Sequence, residues 1–259
     1  MTFPIYIHLG PLSIHPHFLF ESLAYFIGFR VYLYTRNKER IPMEKSMYIL
    51  LGMILGGALG SKALYWLEDP IATWNHLTDP FYLMEGKTIV GGLLGGLLGV
   101  ELAKKLVGWN QRTGDDFTIP LIVGLSLGRI GCFLTGLDDH TYGTPTTWIT
   151  GIDFGDGILR HPTQLYEIAF LWVLGAVLLV LKKRRFLPNG GIFQLFMLSY
   201  LLFRLGIDSI KPTLHPYWIF NNVQLAAIAG LIHYINLIRQ WPRKGDNTCL
   251  KTGPTSSTN

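Results

Sequence analysis

The chain has 259 residues, of which 49% are hydrophobic and only 15% charged, with a mean hydropathy of +0.30. Soluble domains carry roughly 25% charge, so this composition excludes an ordinary soluble enzyme and a disordered chain. The net charge is +5 and the pI about 9.1, a balance that raises nucleic acid until the charges are placed along the chain.

A transmembrane helix needs about 20 mostly apolar residues. Seven segments meet this in chain order: 17–34, 47–67, 88–107, 117–135, 163–181, 192–210 and 218–238. The predicted fold is therefore an all-α integral membrane protein with seven transmembrane helices. The loops test this layout, because cytoplasmic loops collect Lys and Arg. Loop 35–46 carries Arg36, Lys38, Arg40 and Lys45, and segment 104–116 carries Lys104, Lys105 and Arg112. Loop 182–191 carries Lys182, Lys183, Arg184 and Arg185, and the tail carries Arg239, Arg243, Lys244 and Lys251. The alternate side carries only Lys87, Arg160 and Lys211. This bias predicts an N-terminus outside and a C-terminus in the cytoplasm. It turns the basic pI into a topological signal and leaves no nucleic-acid partner.

Residues 1–16 hold three prolines and no basic stretch, so no cleavable signal is expected and the first span acts as an anchor. One membrane domain is predicted over 1–238, with a long outer loop at 136–160. A polar cytoplasmic tail at 239–259, rich in Gly, Pro, Ser and Thr, is expected to be disordered. Loops as long as 136–160 are usually functional. Cys132 and Cys249 fall on opposite sides, which implies no disulfide.

Glycine recurs in helical register, as Gly52, Gly56 and Gly60, as Gly91, Gly95 and Gly99, and as Gly124 and Gly128. Small residues four apart let helix backbones approach closely in lipid. Gly124-Leu-Ser126-Leu-Gly128 matches the G-x-S-x-G hydrolase pattern, but no strand precedes it, so Ser126 reads as a packing residue.

Charges inside apolar spans are costly and need partners or water. Arg30 and Lys62 are read as snorkelling or paired. Arg129 sits in Gly128-Arg-Ile-Gly131, where the two glycines are expected to clear space around the guanidinium. Arg204 and Asp208 stand four apart, hence on one helix face. Two guanidiniums near the outer leaflet suit a phosphate, because arginine matches phosphate oxygens bidentately. A buried ion-pair network that fixes helix packing is the other reading.

Seven histidines, His8, His15, His17, His76, His140, His161 and His215, fall on the outer side. No set with metal-ligand spacing is visible among them, so no metal is expected. One of these imidazoles is instead a candidate general base. His140 is the first choice, because it follows Arg129 closely in sequence, with His161 and His17 behind it.

Several segments together resemble the prolipoprotein diacylglyceryl transferase family over about 3–238. They are Phe3-Pro4 with Leu9-Gly-Pro-Leu-Ser-Ile14, Gly56-Gly-Ala-Leu-Gly60, Gly91-Gly92-Leu-Leu-Gly95 and Gly128-Arg-Ile-Gly131. Arg160-His-Pro-Thr-Gln-Leu-Tyr-Glu167 is the closest match. Tyr200 and Phe203-Arg204 with Asp208, and Gln224-Leu225, complete it. The resemblance implies a multi-pass enzyme of the bacterial inner (plasma) membrane that uses no cofactor. Its partners are phosphatidylglycerol, a prolipoprotein lipobox segment and membrane lipids. A lipobox cysteine thiol attacks the glycerol carbon that bears the phosphate, a thioether forms, and glycerol phosphate leaves.

On this resemblance His17, Asp138, His140, His161, Tyr200, Arg204 and Asp208 are the catalytic candidates. Gly91, Gly92, Gly128, Arg129, Gly131, Gln164 and Tyr166 are the substrate-binding candidates. Four positions depart from the family pattern: Val90 stands for a histidine, Cys132 for an asparagine, Leu137 for an acidic residue and His17 for a tyrosine. His17, Asp138 and His140 are the substitutes at hand. A lipid transferase with another acceptor, and a non-enzymatic lipid-binding or transport protein, are the alternative readings.

Overall fold

In the computed structural model, residues 3–10, 12–36, 41–184 and 187–241 are described. Cys249, Arg185 and most of the polar tail lie outside these residues. The chain opens with a hairpin of β1 (Ile7–Leu9) and β2 (Leu12–Ile14), antiparallel with Ile7 opposite Ile14. There follow α1 (Pro16–Thr35), α2 (Met43–Trp66), the short α3 (Pro70–Asn75) and α4 (Pro80–Met84), α5 (Ile89–Leu106) and α6 (Asp115–Thr135). A 3-10 turn covers Gly136–Asp139, and a second hairpin pairs β3 (Ile152–Asp153) with β4 (Leu159–Arg160). The chain ends with α7 (Thr163–Lys183), α8 (Gly191–Ile207), a 3-10 turn at Asp208–Ile210, and α9 (Asn222–Arg239).

A helix of at least 17 residues occupies each of the seven apolar segments. Four stretches, Met43–Trp66, Asp115–Asp139, Thr163–Lys183 and Gly191–Ile210, are long and apolar enough to cross a membrane by length and composition. The protein is thus a mostly helical multi-pass membrane protein, with two small hairpins that the hydropathy pattern does not reveal. In α1, α5 and α9 the apolar run is diluted, by Glu21 and Arg30, by Glu101, Lys104 and Lys105, and by Asn222, Gln224 and His233.

Local chemistry sets the boundaries. Pro16, Pro70 and Pro80 stand in the first turn of their helices, where the missing N–H costs nothing. The Asp69 and Asp79 carboxylates cap α3 and α4. The last span, expected from 218, starts at Asn222 instead. Tyr217 and Phe220 form a bridge with Trp218 in the left-handed region between them. Asn221 then closes a reciprocal capping box with Gln224.

Two helix pairs are built on glycine. A Cβ placed on Gly56 would lie 2.4 Å from the carbonyl oxygen of Gly95, and one on Gly60 2.5 Å from that of Gly91. The α2–α5 seam is therefore backbone against backbone, as the four-residue spacing predicts. Gly91 belongs to this seam, and Gly92 lies on its edge, with its built Cβ 3.7 Å from the Gly57 carbonyl oxygen. Both glycines, expected to bind substrate, stand at this helix seam. In the second pair, α1 packs on α6 through Gly28 and Gly124, and Gly131 makes room for Phe20 and the backbone of His17. The space at Gly131 thus admits α1, where it was expected to free the Arg129 guanidinium. Ser126 is a buried packing residue that donates to the Ile122 carbonyl.

The apolar core gathers Leu171, Leu174 and Leu178 of α7, Phe196, Met197, Tyr200 and Leu201 of α8, and Ala227 and Tyr234 of α9 around Val90 and Ile122. By contrast Leu51, Ile54, Leu55 and Leu59 of α2 are more than half exposed, as lipid-facing residues would be. Lys62 is paired, donating to the carbonyls of Met84, Glu85 and Gly86 at the end of α4, while Arg30 is exposed.

The seam generates a test. Gly56→Leu should lower the thermal midpoint in detergent by several degrees, since overpacking costs about 1–3 kcal/mol. Gly206→Ala, where no neighbouring atom of the described residues lies within 4 Å, should leave it unchanged.

Candidate functional site

Antiparallel packing brings four helix ends together: the starts of α1 and α7 and the ends of α6 and α8. Each contributes at least one polar side chain, and the fulcrum is Glu167, 1% exposed in the second turn of α7. Its Oε2 lies 2.9 Å from Arg129 Nε on α6 and 3.6 Å from Arg204 Nη1 on α8. Its Oε1 accepts a 2.6 Å hydrogen bond from the Tyr200 hydroxyl. Arg204 forks onto Asp208, with Nε 3.0 Å from Oδ2 and Nη2 2.8 Å from Oδ1. Lys211 reaches Asp208 Oδ1 at 3.1 Å.

All of these groups are buried. Burial and the neighbouring Arg204 pull the Lys211 ammonium, beyond the end of α8, down to about 8, while Asp208 opposes the shift. Arg129, Arg204 and Lys211 surround Glu167 and Asp208, and Glu68 and Asp139 lie near enough to act on Lys211 and Arg129. The hydrogen-bonding capacity is also incomplete. Arg204 Nη1 and Gln164 Oε1 are buried and have no hydrogen-bond partner among the described residues. Arg129 Nε meets Glu167 as a close ion pair, without an N–H aimed at the oxygen. A buried network normally satisfies every member. This one holds spare guanidinium donors, which is what an entering anion requires.

A second group adjoins the first. Asp139, at the end of the 3-10 turn after α6, holds its Oδ1 2.8 Å from His17 Nδ1. Its Oδ2 accepts from the Thr141 hydroxyl, which in turn accepts at 3.1 Å from Gln164 Nε2. His17 Nε2 lies 3.6 Å from Glu21 Oε2, and Glu21 is also paired with Lys87. Buried Cys132 completes the set, and donor atoms of His17, Cys132 and Asp139 lie within 4.8 Å of one another. Arg129 Nη1 donates to Cys132 Sγ at 3.8 Å and so joins the two groups. Linear spacing does not reveal this group, because its members meet only through tertiary contacts.

The other candidates fall elsewhere. His140 is exposed, in the left-handed region at the end of the 3-10 turn. Asp138 lines a cavity with Phe3, Pro4, Phe154 and Asp156. His161 Nδ1 lies 3.1 Å from the Tyr166 hydroxyl, which pairs at 2.6 Å with Thr150, and Trp148 stands edge-on to the imidazole. These residues pin the outer loop to the start of α7. Gly128 is open, with no atom within 4 Å of a built Cβ. Glu167 and Lys211 are not among the residues expected from sequence, while Asp139 is expected only as one of the outer-loop groups, with Asp138 and His140, that could supply a base. A signal for Glu167 was present: it is the one carboxylate in the most apolar span, where an unpartnered charge would be costly.

A family model described as prolipoprotein diacylglyceryl transferase matches residues 4–239. A phosphatidylglycerol–prolipoprotein diacylglyceryl transferase of Bordetella parapertussis is 31% identical over 229 residues, covering 79% of this chain and 80% of that protein. Proteins of the same name from Cupriavidus metallidurans and Pseudomonas aeruginosa are 34% identical over 219 residues and 31% over 226. The first covers 78% of this chain and 77% of the relative, the second 80% of each.

Glu167→Gln should test the fulcrum. It removes the charge that compensates two buried arginines, and breaking a buried pair on one side costs about 3–5 kcal/mol. A correspondingly lower unfolding midpoint in detergent is expected, larger than that of Glu101→Gln on the exposed side of α5.

Proposed function

The chain belongs to the prolipoprotein diacylglyceryl transferase family, and we propose that it moves a diacylglyceryl group from phosphatidylglycerol to the cysteine thiol of a prolipoprotein. The observation that carries this reading is the buried Arg129–Glu167–Arg204 cluster at the meeting of α6, α7 and α8, whose guanidiniums keep N–H groups without partners among the described residues. The donor lipid brings a phosphodiester. Arg129 and Arg204 hold its oxygens, with Lys211 behind them as a further positive charge. Glu167 and Asp208 orient the two guanidiniums, and Tyr200 braces Glu167. The thiolate sulfur forms a bond to the glycerol carbon, and the carbon–oxygen bond to phosphate breaks. Glycerol phosphate leaves with the electron pair and an added negative charge. Fixed cations in a dry site stabilise that charge most where it develops.

The thiolate is the nucleophile, so the acceptor must lose a proton. Of the three imidazoles considered, His17 is the one tied through Asp139 and Cys132 to Arg129. We therefore assign thiol activation to the His17 end of the site rather than to His140 or His161. His161, Tyr166 and the ordered loop 136–160 frame the entrance, and Gln164 links the framework to Asp139 through Thr141.

The same reading requires a site at the outer face of the bacterial inner membrane. It takes the seven long helices as seven spans, with the N-terminus outside and the C-terminus in the cytoplasm. The one-sided loop charge supports this. A periplasmic reporter fused after Gly151 should be active and one fused after Arg184 inactive. The reverse pattern would put the cluster on the wrong side.

The direct test is transfer of labelled diacylglycerol from phosphatidylglycerol to a lipobox peptide by the purified protein. Arg129→Lys keeps the charge but loses the planar fork, and should cut the rate by about tenfold or more with helical content unchanged. A fully active lysine variant would show that the fork does not hold phosphate.

A further inference from the structure

Gln164, in the first turn of α7, is 1% exposed, and its Oε1 has no hydrogen-bond partner among the described residues. We propose that this carbonyl oxygen accepts a hydrogen bond from a hydroxyl of the donor lipid's headgroup, and so selects a hydroxylated anionic headgroup over one that is merely anionic. This rests on the transferase reading and deepens it, because it names the residue that reads the headgroup beyond the phosphate.

The orientation of the amide is fixed by the polarity of its neighbours. An ionised carboxylate only accepts, and a hydroxyl has a single proton to give. Asp139 Oδ2 takes that proton from Thr141. Thr141 Oγ1 therefore has only lone pairs left for Gln164, and it accepts from Nε2 at 3.1 Å. A flipped amide would set oxygen against oxygen. Thr141 is itself held, because its carbonyl accepts from the Thr163 hydroxyl. Asp139 is held as well, with its other oxygen 2.8 Å from His17 Nδ1. Gln164 Oε1 is thus turned away from Thr141 as a neutral acceptor. A buried acceptor left unpaired is costly, and the described residues supply it with no donor.

The position matches the headgroup. Gln164 precedes Glu167 by three residues, so both side chains lie on one face of α7, with Gln164 about 4.5 Å nearer the start of the helix. Glu167 orients the Arg129 and Arg204 guanidiniums proposed to hold the phosphodiester. In the proposed topology the start of α7 is its outer end. A phospholipid keeps its acyl chains toward the membrane interior and its headgroup outward. Its phosphate then meets the arginines at the level of Glu167, and its glycerol meets Gln164. Arg204 Nη1 is a donor without a partner among the described residues, as Gln164 Oε1 is an acceptor without one. A phosphate ester of glycerol complements both, with acceptor oxygens and a hydroxyl donor in one group. An ammonium headgroup also donates, but it would stand beside Arg129 and Arg204, whose like charge opposes it. A site built to hydrogen-bond a hydroxyl rejects the analogue that lacks it, because the buried acceptor is then left unpaired.

The test compares phosphatidylglycerol with phosphatidylpropanol, which has the same charge and lacks only the headgroup hydroxyls. Binding of each lipid to the purified protein in detergent is measured, alongside diacylglyceryl transfer from each to a lipobox peptide. The unmodified protein should favour phosphatidylglycerol by about tenfold or more, in binding and in kcat/KM. Gln164→Met, similar in length and without the acceptor, should reduce the preference to about twofold or less, with the peptide KM unchanged. Thr141→Val removes the hydroxyl that holds the amide and should lower the preference in the same direction, by less. It lies in the outer loop and carries the test if Gln164→Met does not fold. An undiminished preference in the folded variant would overturn the contact, as would an unmodified protein with no preference. A change confined to the peptide KM would place the acceptor against the peptide and overturn it too. A binding preference that responds to the variants, with no transfer to the peptide, would instead overturn the transferase reading and leave the headgroup contact standing.

Discussion

The structure depends on one carboxylate. Glu167 sits where α6, α7 and α8 meet, and its two oxygens are shared among Arg129, Arg204 and Tyr200. Charge in a membrane interior is tolerated only when paired or wetted. Three helices are therefore held in register by a common electrostatic need, not by apolar contact alone. A single acid between two arginines under-neutralises them. Asp208 takes part of the remaining load, but Lys211 adds to it again. The arrangement leaves guanidinium N–H groups without partners among the described residues.

The two polar groups divide the chemistry. The arginine cluster is rigid, buried and anion-seeking. The group around His17 is nearer the surface and offers donors of three chemical kinds. Arg129 belongs to both, through Glu167 on one side and Cys132 on the other. Two of the positions where the chain departs from the family pattern, His17 and Cys132, lie in this second group with Asp139. Val90, a third, is fully buried in the apolar core. His17 and Cys132 are therefore neighbours in space although far apart in sequence, while Val90 stands apart from them.

The long helices were legible because lipid imposes a crude and strong pattern. A run of about 20 apolar residues needs no tertiary knowledge to interpret, and glycines four apart announce a close seam. Arg129, Arg204, Asp208 and Tyr200 were legible for the opposite reason, as polar exceptions within apolar runs. The hairpins and the start of α9 were hidden because turn geometry and capping outweigh hydropathy at helix ends. The partnership of His17 with Asp139 was hidden because it links residues 122 apart along the chain. Proximity to Arg129 in sequence favoured His140, but the left-handed turn at that residue carries it outward.

The glycine seam has a consequence for how the chain is assembled. Helices α2 and α5 are the second and third long helices in the chain, joined by residues 67–88, and Lys62 and Ser61 tie that connector back to α2. Their contact needs no partner from later in the sequence. A membrane protein first inserts its helices and then lets them associate, and contacts between near neighbours carry the smallest loop-closure cost. The α2–α5 hairpin is thus complete while the ribosome is still delivering α7 and α8. Val90, beside the seam, presents a preformed wall to those later helices. Synthesis order and spatial order coincide: scaffold first, charged centre last. Arg129 precedes its carboxylate partner in the chain and gains Glu167 only once α7 has emerged.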